Sequence, residues 1–279
     1  MIDNHGHIGV CHIPSEDIVD GYDPEALLGQ SPQQFISLMD AVGVDLAVLH
    51  CLRSWANKYH ARIIKEHPDR FMGVCKIDES TATTDATHEV LRAYVEDWGF
   101  KALYYDPIAD SDAADKFHTQ AYAPFWEFVA SLKIPVCFVS LRRNFKTLWH
   151  QLLQLLDRLP QLTVVIVHGL YPACLLADDH SVVIPDEALK LVRNFDVQLD
   201  LLAGLRTNQY GPNDEVLGVL FDTFGPSKFL WGSEFTKVKS PTAKQYRHQA
   251  HYVREQCPYM SGEDIYQIMG GNARRVYGL

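Results

Sequence analysis

Residues 1–10 read MIDNHGHIGV, and this stretch decides between two folds. Met1–Asn4 is a short opening run of the kind that starts a buried strand. Two histidines follow it, His5 and His7, separated by one glycine. A doubly wound nucleotide-binding sheet would carry a glycine-rich fingerprint at this point, and none is present. In a barrel, chemistry collects at the C-terminal ends of the strands, where these two imidazoles would lie.

Working outward, strand-like runs alternate with helical ones along the chain. After the first strand, SPQQFISLMDAVGVD reads as a helix, with Ser31 as N-cap and Pro32 at the first helical position. Phe35, Leu38, Met39 and Val42 share one face of it, and Gly43 ends it. Further strands are expected at 45–50, 71–77, 100–106, 134–141, 162–168, 196–202 and 228–234, each followed by a helix. A helix near 242–256 and one in SGEDIYQIMGGNARRVYGL close the chain. Several strands are unbroken apolar runs, as parallel strands covered on both faces should be. Eight β/α units in 279 residues predict an α/β protein, a (β/α)8 TIM barrel, with residues 1–279 forming one domain.

Composition narrows the function. The net charge is −10, with 25 Lys+Arg against 35 Asp+Glu, and no dense basic stripe exists to neutralise phosphates, so nucleic acid is not an expected partner. No run approaches the roughly 20 apolar residues of a membrane span. Nothing at the N-terminus resembles a secretory signal. The six cysteines (Cys11, Cys51, Cys75, Cys137, Cys174 and Cys257) are scattered without a CxxC, which suits buried thiols in a reducing cytoplasm.

The strand ends hold the candidate functional groups. They are His5 and His7 on the first strand, His50 on the second, Tyr104, Tyr105 and Asp106 on the fourth, His168 on the sixth, Asp200 on the seventh and Glu234 on the eighth. Trp55 lies in the loop after the second strand; Ser140, Arg142 and Arg143 follow the fifth. Residues i and i+2 of a strand share a face about 7 Å apart, so His5 and His7 can both face the barrel mouth, and only one of Tyr104 and Tyr105 can. A slight bend would bring both imidazoles to one ion at roughly 2.0–2.1 Å. Barrel closure would carry Glu234 beside them. Asp200 could orient a substrate or a histidine. The competing readings are a solvated strand end for His5 and His7, a core histidine for His168, and a rim ion pair of Glu234 with Arg142 or Lys101.

With these residues in place, the chain resembles the amidohydrolase superfamily, in the branch holding sugar lactonases, pyrone-dicarboxylate lactonases and non-oxidative decarboxylases. IDNHGH is similar to the family's opening DxHxH. LMDAVGVDLAVL, EHPDRFMGV, GFKALYYDP, LPQLTVVIVHG, FGPSKFLWGSE and GNARRVYGL follow in family order. The resemblance implies a barrel with one divalent metal, commonly zinc or manganese. It implies ligands from two strand-one histidines, a strand-five histidine and a strand-eight aspartate, with a strand-six histidine kept for acid–base work. His5, His7 and His168 match. Two positions depart: Val139, followed by Ser140, stands where the strand-five histidine would be, and GSE replaces GSD, putting Glu234 in place of aspartate. His5, His7 and Glu234 with a water still make an accepted catalytic zinc set. The alternative is a metal-free site in which the histidines donate hydrogen bonds. His12 and His180 lie in loops that could reach the mouth.

The implied activity is hydrolysis of a lactone or related cyclic ester. Glu234 would be the general base, with His5, His7 and His168 polarising the carbonyl, with or without the metal. Arg142 could hold a substrate carboxylate bidentately, and Tyr104, His50 and Trp55 could line the pocket. The alternatives are a metal-dependent non-oxidative decarboxylase, which leans harder on a full ligand set, and a barrel that only binds. The expected partners are a small, carboxylate-bearing substrate and, by the resemblance, a second copy of the chain.

Overall fold

A computed structural model describes residues 1–8, 31–107, 114–141, 144–170, 175–177, 181–201, 213–235 and 242–279. Eight parallel strands form one sheet in sequence order: β1 (Ile2–Gly6), β2 (Leu46–His50), β3 (Phe71–Lys76), β4 (Ala102–Tyr105), β5 (Val136–Val139), β6 (Val164–Val167), β7 (Val197–Leu201) and β8 (Phe229–Trp231). A parallel bridge from Gly6 to Phe235 brings the last strand to the first, and the His7 amide donates to the Phe235 carbonyl at 2.7 Å. This is the expected TIM barrel.

Strand alternation divides the core into two layers. Ile2, Val48, Met72, Val74, Ala102, Tyr104, Cys137, Val139, Val165, Val167 and Leu230 form the inner cluster. Their neighbours, among them Ala47, Phe71, Leu103, Phe138 and Ile166, face the outer helices. Tyr104 points inward, while Tyr105 packs outward against Trp126 at 5.0 Å and Phe138 at 5.3 Å between ring centroids.

The helices follow from their caps and faces. In α1 (Pro32–Val42), Ser31 and Gln34 form a capping box and Gly43 ends the helix at φ +77°. Pro32, Phe35, Ile36, Met39 and Val42 are its buried residues, with Leu38 partly covered. Next come α2 (Asn57–Glu66), α3 (Asp85–Glu96), α4 (Ala123–Ser131), α5 (Phe145–Arg158), α6 (Asp186–Asn194), α7 (Asn213–Phe224) and α8 (Ala243–Gln256). The closing helix expected over the last nineteen or so residues is broken. It runs as α9 (Gly262–Tyr266), a π-type turn over Gln267–Gly271 and α10 (Asn272–Tyr277). The break lets the chain pass under β1, where a Cβ on Gly270 would stand 3.2 Å from the Ile2 amide. Ala273 and Tyr277 then join the inner cluster and plug the barrel from its N-terminal end. Among the described residues, no helix is long and apolar enough to cross a membrane.

Candidate active site

The site begins with an irregularity in β1. Asp3 pairs with Ala47, but Gly6 pairs with Leu49, so one residue bulges out of register between them. The bulge breaks simple alternation, so the consecutive residues Asn4 and His5 both reach Asp200, at 3.1 and 2.6 Å. His5 and His7, two residues apart, share the inward face. Their Nε2 atoms lie 3.0 Å apart in a buried position.

The far side of each ring fixes its tautomer. His7 Nδ1 lies 3.2 Å from the His50 carbonyl oxygen, which can only accept. His5 Nδ1 lies 2.6 Å from Asp200 Oδ2. With Asp200 ionised, rings that are neutral carry their proton on Nδ1 and turn an Nε2 lone pair toward each other. Two lone pairs at this separation repel unless a proton or a cation stands between them. Two ligands of one zinc ion at about 2.0–2.1 Å can be no more than about 4.2 Å apart, so this spacing is within reach of a shared ion. Glu234 completes a group of three, with one ligand atom from each of His5, His7 and Glu234 all within 4.8 Å. The donor chemistry, two imidazoles and a carboxylate, fits a divalent cation.

Asp200 is the hub behind His5. Its Oδ1 accepts from Asn4 Nδ2 at 3.1 Å, and its Oδ2 also lies 3.4 Å from the His168 amide. Asn4 Oδ1 in turn accepts from the Tyr277 hydroxyl at 2.7 Å. A hydrogen-bonded line thus runs from the terminal helix through the barrel axis to His5. Burial raises the Asp200 carboxyl above its ordinary range, opposed by its electrostatic interactions with His50 and His168 and by its hydrogen bonds from Asn4 and the His168 amide. Gly232 makes room here: a Cβ on it would lie 2.5 Å from Asp200 Oδ1 and 2.6 Å from His5 Cβ.

Three imidazoles stack across the lumen. His5 lies 4.4 Å from His50 and 5.5 Å from His168 between centroids, both nearly parallel. Burial pushes His50 down to about 4, so its ring is neutral; it donates from Nε2 to the Asn4 carbonyl at 2.9 Å. His168 donates from Nδ1 to the Ser140 carbonyl at 3.1 Å, which turns Nε2 toward Glu234 Oε1 at 3.4 Å. His168 and Glu234 are both left-handed, at φ +64° and +53°. Non-glycine residues seldom adopt this conformation, and where they do the strain concentrates at functional positions.

Asp3, the first residue of the DxHxH pattern, ties the strand ends together and reaches the histidines only through the backbone, accepting from the His5 amide at 3.2 Å. It accepts from the Ser233 amide (2.8 Å), the Ser233 hydroxyl (2.6 Å) and the Tyr246 hydroxyl (2.7 Å), and burial raises it to about 6.

The structure brings His5, His7, His50, His168, Glu234 and Asp200 together and sets Tyr104 edge-on to His50 at 5.8 Å. Trp55 lies on a short turn, Ser54–Ala56, beside Cys51 and Ala56. Arg142, Arg143, His12 and His180 lie outside the described residues, as do Cys11 and Cys174. The rim pair of Glu234 with Lys101 is overturned: Lys101 is exposed and precedes β4, at the opposite end of the barrel from Glu234. Val139 is buried in the inner cluster at the strand-five position. The hydroxyl of Ser140 next to it is buried with no hydrogen-bond partner among the described residues. Sequence reading passed over Asn4 and Lys76. Lys76 could have been found by its phase, because Met72, Val74 and Lys76 alternate on one face.

Comparison with known proteins agrees with this architecture. The family model described as Amidohydrolase matches residues 2–279. None of the curated proteins matches by sequence. Among solved structures, 2,6-dihydroxybenzoate decarboxylase from Rhizobium is 16% identical with a TM-score of 0.69, covering 99% of this chain and 97% of that one. A dihydroxybenzoic acid decarboxylase from Polaromonas, with bound manganese and the inhibitor 2-nitroresorcinol, is 15% identical (TM-score 0.67; 100% and 96% covered). A probable 2-pyrone-4,6-dicarboxylic acid hydrolase from Acinetobacter baumannii, with citric acid bound, is 17% identical (TM-score 0.65; 100% and 99% covered). At these identities the likeness to each structure is one of fold.

Proposed function

Because the chain belongs to the amidohydrolase family, we propose that it is a hydrolase opening a small lactone or cyclic ester that carries a carboxylate. The observation that carries this reading is the pairing of His168 with Glu234 at 3.4 Å, directly beside the facing Nε2 atoms of His5 and His7. In this reading a divalent cation is held by His5, His7 and Glu234. When bound, it polarises the carbonyl and lowers the pKa of a water molecule.

The chain's own residues supply the proton traffic. Glu234 accepts a proton from the attacking water. His168, with Nδ1 committed to the Ser140 carbonyl, can take a proton only at Nε2, the atom facing Glu234. The pair therefore holds one proton between two buried groups and returns it to the leaving oxygen. His5 and His7 keep their orientation because Asp200 and the His50 carbonyl hold the other side of each ring. His50 and Tyr104 form the neighbouring wall, and Arg142 is a further candidate for the substrate's carboxylate.

Non-oxidative decarboxylation is the second reading, favoured by the two decarboxylases among the similar structures, one of them with bound manganese. One assay separates the two. The purified protein, with zinc or manganese supplied, is incubated with 2-pyrone-4,6-dicarboxylate, sugar lactones and dihydroxybenzoates, alongside a Glu234→Gln variant. Acid release from a lactone that disappears in the variant supports hydrolysis. Carbon dioxide from a dihydroxybenzoate with no lactone turnover overturns it in favour of decarboxylation. No turnover of either class would leave a barrel that binds without catalysis.

A further inference from the structure

Lys76 ends β3 in phase with Met72 and Val74, so its side chain enters the lumen at the end where the histidines lie. It is only 5% exposed. Lysine is seldom buried to this degree without a reason. Its surroundings are built for it. The Asn57 side chain takes both backbone groups of Lys76, donating to the carbonyl at 2.6 Å and accepting from the amide at 3.0 Å. The ammonium lies 5.4 Å from the centre of the Tyr104 ring and pairs with Glu79 Oε1. Tyr104 meets His50 edge-on, and His50 stacks on His5. Adjacent walls of the lumen therefore lead from the His5–His7 pair to the ammonium.

An ammonium has three N–H donors, and among the described residues one acceptor meets this one, Glu79. We propose that Lys76 is the anchor for a carboxylate of the substrate, with Glu79 and Tyr104 holding its ammonium in place. The inference rests on the reading of a small carboxylate-bearing substrate and names the residue that selects it. Glu79 takes one of the three N–H groups, through an Oε1 that also accepts the Asp106 amide at 2.9 Å. Desolvation lowers Lys76 to about 8, which leaves it a cation at neutral pH; Asp106 and Asp78 support that charge and Arg53 opposes it. The remaining N–H groups sit in a dry setting, where a charge-assisted hydrogen bond is stronger than in water.

The test uses two ligands that share a ring and differ by the carboxylate, 2,6-dihydroxybenzoate and resorcinol, with citrate as a non-aromatic carboxylate. Dissociation constants are measured by calorimetry on the wild type, Lys76→Met, and Lys76→Met/Glu79→Gln. The double variant removes both charges, so a buried glutamate left alone cannot be the cause of a change. The expected result is a roughly 10- to 100-fold loss of affinity for the carboxylates in both variants, with resorcinol moving less than twofold. Equal losses for both kinds of ligand, unchanged carboxylate affinity, or no carboxylate binding by the wild type would each overturn the anchor. Binding is read without turnover, so the two ideas fail separately. Lys76-dependent binding without catalysis sinks the hydrolase reading alone. Lactone turnover with an unchanged KM in Lys76→Met sinks the anchor alone.

Discussion

Asp200→Asn changes one atom of the hub behind His5, and the network fixes what must follow. In the native chain both Asp200 oxygens accept: Oδ2 from His5 Nδ1 at 2.6 Å and, more weakly, the His168 amide at 3.4 Å; Oδ1 from Asn4 at 3.1 Å. An asparagine offers one acceptor and one donor. With its oxygen toward His5, its NH2 meets the NH2 of Asn4. Turning Asn4 over would then present an NH2 to the Tyr277 hydroxyl, which now donates to Asn4 at 2.7 Å. That hydroxyl's other neighbour is the Cys137 sulfur at 3.9 Å, a poor acceptor. With the NH2 toward His5 instead, the Nδ1 proton loses its partner and the ring is driven to the other tautomer, with Nε2 protonated.

The first arrangement leaves one buried donor unanswered; the second answers the Nε2 proton with the His7 Nε2 lone pair at 3.0 Å but takes the acceptor from the His168 amide, so either costs about 1–3 kcal/mol. For a chain of this size that lowers the unfolding temperature by roughly 2–5 °C. The second consequence is specific to the site. Losing a carboxylate behind a ligating histidine weakens metal binding by about 10–100-fold. Zinc and manganese are titrated calorimetrically into metal-stripped wild type and variant, with thermal unfolding recorded on the same samples. A folded variant whose metal affinity stays within twofold of the wild type would refute the reasoning, because Asp200 would then be a core residue with no part in orienting His5.

Three further outcomes follow. Gly232→Ala removes no functional group but places a Cβ 2.5 Å from Asp200 Oδ1 and 2.6 Å from His5 Cβ, about 1 Å inside ordinary contact. It should lower stability by about 1–3 kcal/mol in urea unfolding and kcat/KM by roughly 100-fold on whichever substrate the wild type turns over. Glu234→Gln keeps the shape of the side chain and loses the proton acceptor; kcat should fall by about 10²–10⁴ while circular dichroism is unchanged. His60 is buried on α2 with Nε2 3.3 Å from the Ile8 carbonyl oxygen, and burial lowers it from 6.5 to about 4. The neutral ring is the one the fold accepts, so its contribution is whole above about pH 6.5 and is lost as the pH falls toward 4. At about 1.4 kcal/mol per pH unit, the wild type should lose roughly 3 kcal/mol more than His60→Asn across that window in urea unfolding.

The barrel was legible in the sequence because its signals are local. Apolar runs such as LTVVIVH and IPVCFVSL declare buried parallel strands, and Ser31, Pro32 and Gly43 mark a helix at both ends. The grouping of His5, His7, His168 and Glu234 was legible from topology, since a closed barrel must set its last strand beside its first. The joint reach of Asn4 and His5 to Asp200 was not, because it depends on a one-residue bulge in β1. Asp200 read as an ambiguous polar residue because its partner is 195 positions away. Lys76 was hidden by its neighbours, as a single charge at the end of FMGVCK looks like the polar end of a strand until the strand's inward phase is followed to its last residue. The break between α9 and α10 was missed because helical periodicity continues across it, and only the close approach of Gly270 to Ile2 requires it.

The site's local costs point one way when taken together. His168 and Glu234 hold left-handed backbone that strains a branched or long side chain by about 1–3 kcal/mol each. His5 and His7 oppose two lone pairs at 3.0 Å. Asp200 is a carboxylate in a place that disfavours its charge. A barrel selected only to bind through packing would gain by relaxing any of these, and a strand end that merely turned polar would have solvated imidazoles, whereas His5 and His7 are each 1% exposed. A cation between the facing nitrogens would answer two of the three at once: it would replace the lone-pair repulsion with attraction, and it would stabilise the Asp200 charge through the His5 ring. It would also give the strained Glu234 a reason to project inward. The prediction specific to this account is that metal stabilises the wild type against unfolding far more than it stabilises Asp200→Asn. Equal stabilisation of the two would mean that these strains have separate causes.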